Sequence, residues 1–205
     1  MTGERRLGLV LAINLAMVLA LLLVGLLAHS LGVLASGADY LGDALGTGLS
    51  LLALRMSGRR QGRSHATSYA ALANSGLLLA VTVAVAAEAV HRLISGTPSI
   101  QGVPVVIVSV IAAAAMLACA LILGEVQGDL NMESVMLDTV ADAAAAIGVA
   151  VGGTVILATG ATYWLDSLVA LLIALVVAYH AIRLMRRVLT ELRRAPSPAA
   201  PARPG

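Results

Sequence analysis

MESVMLDTVADAAAAIGVAVGGTVILA, residues 132–158, is long enough to cross a bilayer yet carries two carboxylates, Asp138 and Asp142, four positions apart. A membrane-spanning helix needs about 20 mostly apolar residues, and helical positions i and i+4 are neighbours about 5–6 Å apart at Cβ. The pair is therefore a two-carboxylate pincer facing one way. LGVLASGADYLGDALGTGLSLLAL, residues 31–54, repeats the pattern with Asp39 and Asp43. An ionised Asp at the bilayer centre costs at least about 2.5–3.5 kcal/mol, so four of them need compensation, and a visiting divalent cation would supply it.

The rest of the chain agrees with a membrane setting. Of the 205 residues, 60% are hydrophobic and 12% charged, and the mean hydropathy is +0.96. That apolar share exceeds the roughly 45–50% of soluble domains. Lys and Phe are absent, and all 13 basic residues are Arg, a bias that reflects base composition of the genome better than a mechanism. No basic patch interleaved with aromatics points to nucleic acid. The lone Cys119 excludes an internal disulfide framework and reads as inert packing. The first apolar run is too long for a cleavable signal and lacks a small-residue cleavage site.

Taken in order, residues 7–28, 31–54, 66–90, 103–123, 132–158 and 164–185 read as six spans, giving an all-α, six-transmembrane-helix bundle. His29 and Ser30 make a tight turn between the first two. The transport domain is expected over 1–188, with 189–205 a short, disordered Pro/Ala-rich tail. Six spans place both termini on one side. Arg5, Arg6, the four arginines of the 55–63 loop, and Arg183, Arg186, Arg187, Arg193, Arg194 and Arg203 fall on that side, against Arg92 on the other. By the positive-inside rule both termini are cytoplasmic, and the expected home is a bacterial cytoplasmic membrane. Counted at 1.5 Å per residue, Asp138 and Asp142 lie about 8 and 14 Å from the cytoplasmic end of their span, and Asp43 and Asp39 about 16 and 22 Å. The bands abut, so the pairs can meet.

Four ionised carboxylates around one divalent ion leave a net charge of −2, so one or two should hold protons, above all when the metal is absent. Metal binding then releases protons, and a site open alternately to each side exchanges one for the other. The competing reading is that the Asp residues are protonated interhelical glue. Glue needs one donor and one acceptor, which two pairs at compatible depth exceed.

The chain resembles the cation diffusion facilitator family of metal–proton antiporters. The stretches that carry the resemblance are HSLGVLASGADYLGDALG, YAALANSGLLL with EAVHRL, DLNMESVMLDTVADAAAAIGV and WLDSLVALLIAL. The resemblance implies a transport site of Asp39, Asp43, Asp138 and Asp142, homodimers, and alternation between inward- and outward-facing states. It departs from the zinc-transporting pattern in carrying Asp rather than His at Asp138 and Ser rather than Asp at Ser36. A four-carboxylate site is harder and should favour Mn²⁺ or Fe²⁺ more than a His-containing one, although zinc accepts Asp oxygens. Nothing after Met185 matches the family's cytoplasmic metal-sensing domain, so a member without that domain is expected.

The function expected is efflux of a divalent transition metal, Zn²⁺ first with Mn²⁺, Fe²⁺, Cd²⁺ or Co²⁺ as other candidates, exchanged for protons. The metal is cargo and no resident cofactor is expected; the partners are protons, lipid and a second copy of the chain. A non-transporting regulatory subunit of a full-length transporter is the alternative. An intramembrane enzyme is disfavoured because no His-Glu-x-x-His occurs. His65 and the acidic residues Glu125, Asp129 and Glu133 are weaker metal candidates on the cytoplasmic side. Asn14 and Asn74 read as helix–helix hydrogen bonders, Glu88 as the i,i+4 partner of Arg92, and Asp166 as a dipole partner for the start of its own helix. Gly42, Gly46, Gly148, Gly152, Gly153 and Ala143–Ala146 read as small residues that let the second and fifth spans approach.

Overall fold

A computed structural model describes residues 3–56, 64–124 and 130–194. They form six long helices: α1 (Gly3–Ala28), α2 (Leu31–Met56), α3 (Ser64–Ser95), α4 (Gly102–Gly124), α5 (Leu130–Thr159) and α6 (Trp164–Arg194). Each expected span falls inside one of them. The helix α6 runs beyond residue 188 to Arg194, so the boundary expected there lies inside a continuous helix.

Five helices contain stretches long and apolar enough to cross a membrane: Arg5–Ala28, Leu72–Ser95, Gly102–Ile122, Asp142–Thr159 and Trp164–Thr190. The exception, α2, is also long, at 26 residues, or about 39 Å at 1.5 Å per residue. What it lacks is apolarity, because Ser36, Asp39, Asp43 and a set of glycines interrupt it. Its position explains why that is tolerated. α2 packs on α1, α3, α5 and α6, and every residue from Ser30 to Ala38 except Leu34 is buried. A helix shielded by its neighbours need not be lipophilic all round. The outer helices show the converse: Leu19 is 71% exposed while Asn14, on the inner face of the same helix, is 3% exposed.

The most extensive seams are α3–α6, α4–α5 and α1–α2, and the α3–α6 pair is joined to the rest chiefly through α2. α1 and α2 are antiparallel across a two-residue turn. Ser30 N–H donates to Gly25 O (3.0 Å) and His29 N–H to Leu26 O (3.4 Å), with His29 at φ 59°. This is the Schellman stop, with His in the left-handed position usually given to Gly. Gly96 and Gly160 end α3 and α5 with positive φ in the ordinary way. The C-terminus of α1 and the N-termini of α2, α4 and α6 meet at one end, through Gln101 N–H to Ala28 O (3.3 Å) and Leu31 N–H to Asp166 Oδ2 (2.7 Å). At the other end Arg6 donates to Ile122 O (3.2 Å). The alternating course puts the first and last helical residues at the same end, and the arginine distribution makes that end cytoplasmic.

Candidate functional site

Asp39 and Asp43 lie one turn apart on α2, both partly buried, and the partly buried Asp142 reaches them from α5. The Asp142 carboxyl comes within hydrogen-bonding reach of both Asp39 and Asp43. A carboxyl–carboxyl hydrogen bond needs a proton on one of the two oxygens, so three carboxyls this close favour shared protons over three full charges. Among the described residues no group of three or more His, Cys, Asp or Glu is set to hold a metal ion. The sequence depths had placed Asp142 several ångström short of Asp39; helix ends counted from hydropathy do not resolve that distance.

The side chains of Asp138, Glu133 and His65, and the loop residues Glu125 and Asp129, lie outside the described residues. Asp138 occupies the turn of α5 before Asp142, toward the cytoplasmic end.

Tyr40, between the two α2 carboxylates, went unremarked in the sequence. It is 1% exposed, and its hydroxyl donates to Ala112 O at 2.5 Å. A buried phenol must find an acceptor, and this one ties α2 to α4 beside Asp39. Tyr40→Phe keeps the ring and removes that bond. We expect it to cost about 0.5–1.5 kcal/mol, read as lower thermal stability of the purified protein in detergent with its helical content unchanged.

A second surprise is Asp166. It does sit in the first turn of α6, as expected, but its side chain serves a different helix. Oδ2 accepts from Leu31 N–H (2.7 Å), and Oδ1 accepts from Gly32 N–H (3.2 Å) and Ser30 Oγ–H (2.5 Å). Ser30 Oγ also takes Val33 N–H (3.2 Å). The first three amides of α2, orphans in any helix, are therefore all bonded. A one-dimensional reading assigns a carboxylate near a helix start to that helix; the contact across the bundle leaves no local signal.

The remaining readings divide. Glu88 does pair with Arg92 at i+4 (2.8 Å), and Arg92 also donates to His29 O (2.8 Å). The carbonyl oxygens of Asn14 and Asn74 are buried with no hydrogen-bond partner among the described residues. Asn74 instead lines a small apolar crevice with Gly42, Leu45 and Leu78, between α2 and α3. Gly153, Gly42 and Gly152 face other seams than the one expected, and Gly46 and Gly148 face open space. A Cβ on Gly153 would meet Val105 Cγ1 at 2.9 Å and Val106 Cγ2 at 3.0 Å on α4, and one on Gly42 would meet Leu78 on α3. Where α2 nears α5 it presents Gly32, whose Cβ would stand at ordinary contact distance from Val149 Cγ1 (3.5 Å) and tight against Asp166 Oδ1 of α6 (3.0 Å).

Comparison with known proteins bears on this arrangement. The family described as the cation efflux transmembrane domain matches residues 7–193. The zinc transporter ZitB of Pectobacterium atrosepticum is 26% identical over 198 residues, covering 93% of this chain and 61% of that protein. The metal cation efflux system protein CzcD of Cupriavidus metallidurans is 28% identical over 180 residues, 84% of this chain and 56% of that protein. The chain thus spans about six-tenths of the length of these curated relatives. It is an integral membrane protein of the bacterial cytoplasmic membrane, built as a helical bundle. With nearly the whole helical region matched, the chain belongs to the cation efflux family, the cation diffusion facilitators.

Proposed function

We propose that the chain exports a divalent transition-metal ion from the cytoplasm in exchange for protons, by alternating access, with Asp39, Asp43, Asp138 and Asp142 as ligands and proton carriers. The observation that supports this most is the Asp142 carboxyl brought within hydrogen-bonding reach of both Asp39 and Asp43 inside an otherwise apolar bundle. Carboxyls that share protons when no metal is bound must lose them to coordinate one. Incoming metal and outgoing protons are thereby linked at the same oxygens, which is what exchange requires. Membership of the cation efflux family supports the class of cargo.

Zn²⁺ is the first cargo to test, because relatives include a zinc transporter. Mn²⁺ and Fe²⁺ follow, because an all-oxygen ligand set is a hard one. The working unit is a homodimer. The experiment is uptake of Zn²⁺ and Mn²⁺ into vesicles containing the purified chain, with and without an imposed pH gradient. Uptake that follows the gradient and collapses when the gradient is dissipated is the expected result. A folded protein that moves neither ion would overturn the reading and put a regulatory subunit in its place. Asp138→His should shift preference toward Zn²⁺ over Mn²⁺ by about tenfold, since an imidazole nitrogen is softer than a carboxylate oxygen; competition between the two ions in the same vesicles measures it.

A further inference from the structure

We propose that Asp166 is a positioning residue: from α6 it fixes the register of α2 against α5, and with it the meeting of Asp39 and Asp43 with Asp142. The role in transport rests on the function proposed above, but the register itself does not.

The contacts of Asp166 go to α2. Both carboxylate oxygens are engaged by Leu31 N–H, Gly32 N–H and Ser30 Oγ–H, and the residue is 4% exposed. Charged acceptors on backbone amides make the stronger kind of hydrogen bond. Two amides and a hydroxyl held by one rigid carboxyl specify both the height and the rotation of the α2 N-terminus.

That end is coupled to the carboxylates by helix geometry. Gly32 lies opposite Val149 of α5, and Asp39 lies within hydrogen-bonding reach of Asp142. From the first pair to the second, α2 advances seven residues and antiparallel α5 goes back seven. Seven residues are close to two full turns, about 10 Å, so the two pairs lie on the same faces of both helices. The absence of a side chain at Gly32 lets Asp166 and Val149 crowd the same point of α2. A slip of α2 by one residue would move Asp39 by about 1.5 Å and turn it by about 100°, out of reach of Asp142. The direct seam of α2 with α5 is among the sparsest in the bundle, so the height of one against the other is set largely through their neighbours, and α6, which touches both, carries the Asp166 bonds.

The test reads register directly, with no metal present. In a Cys119→Ala background, Ala35→Cys is combined in turn with Ala143→Cys, Ala146→Cys and Val149→Cys, all on buried positions of α2 and α5, and disulfide formation is followed under mild oxidation. The 35–146 pair lies between the other two in the same register, three residues from Gly32 and three from Val149, and should cross-link fastest. Adding Asp166→Asn, which removes the charge and sets an amide donor against one of the two backbone donors, should reduce the preference for 146 over its neighbours about tenfold, as expected for the loss of a charge-assisted bond. Ser30→Ala should reduce it less. It removes one contact from Asp166 and leaves both amide bonds, and it decides the matter if the Asn variant does not fold. An unchanged cross-linking profile in the folded variants overturns the proposal. Vesicle uptake on the same proteins separates the two claims: a shifted profile in a chain that never moves metal keeps the positioning role and rejects the transport reading. A shifted profile with a raised half-saturating metal concentration supports both.

Discussion

Asp142→Ala is expected to lower gradient-driven metal uptake by at least about a hundredfold. Even groups that only support a metal ligand cost about 10–100-fold in affinity when removed, and Asp142 is the group that bridges the two α2 carboxylates. Without it Asp39 and Asp43 lose their partner across the helix seam, and α5 retains Asp138 alone of its pair. The protein should still fold, because Asp142 belongs to no large apolar contact; gel filtration and helical content check this. Asp142→Asn is the companion. It keeps the shape and a hydrogen-bonding amide but carries no exchangeable acid proton, so it should fold normally and be as inactive as the Ala variant. Native-like uptake by either variant would remove Asp142 from the proposed site.

Gly153→Leu is the second large effect, and here the loss is of folded protein. A Cβ alone at this position would stand 2.9 Å from Val105 Cγ1 and 3.0 Å from Val106 Cγ2. β-Branched side chains have little rotamer freedom in a helix, so neither Val can turn aside, and α4 and α5 must separate along one of the bundle's most extensive seams. Overpacking of a tight interior costs about 1–3 kcal/mol, and membrane helices depend on close packing at small residues more than soluble ones do. We expect a markedly lower melting temperature in detergent and reduced recovery from membranes. Gly148→Leu, where a Cβ meets nothing within 4 Å, is the control and should behave as native. Equal stability of the two variants would show that the α4–α5 seam is not close-packed at Gly153.

Both predictions concern α5, and they differ in how far the sequence alone could anticipate them. Asp142 stood out because an acid within a membrane run is costly wherever it sits, and the i,i+4 spacing to Asp138 does not depend on what lies across the bundle. The helix count, their approximate limits, the turn at His29–Ser30 and the Glu88–Arg92 pair were legible for the same reason. Hydropathy, charge asymmetry and i,i+4 neighbours are properties of the chain taken locally.

What the sequence could not rank was who touches whom. It assigned Gly153 to a seam between α2 and α5, whereas the structure places it against Val105 and Val106 of α4. It read Asp166 as a partner for its own helix, although its oxygens hold the start of α2. It passed over Tyr40, whose hydroxyl matters because Ala112 O happens to face it. It let the two carboxylate pairs meet without saying which members would, and the fold brings Asp142 to both Asp39 and Asp43. Spacing along a helix determines which side chains share a face, and so the sequence alone determined that Asp39 and Asp43 form a pair. Which helix that face meets, and at what height, depends on the rotation and axial shift of rigid rods packed together, and those were decided by the tertiary contacts at Gly32, Asp166 and Val149.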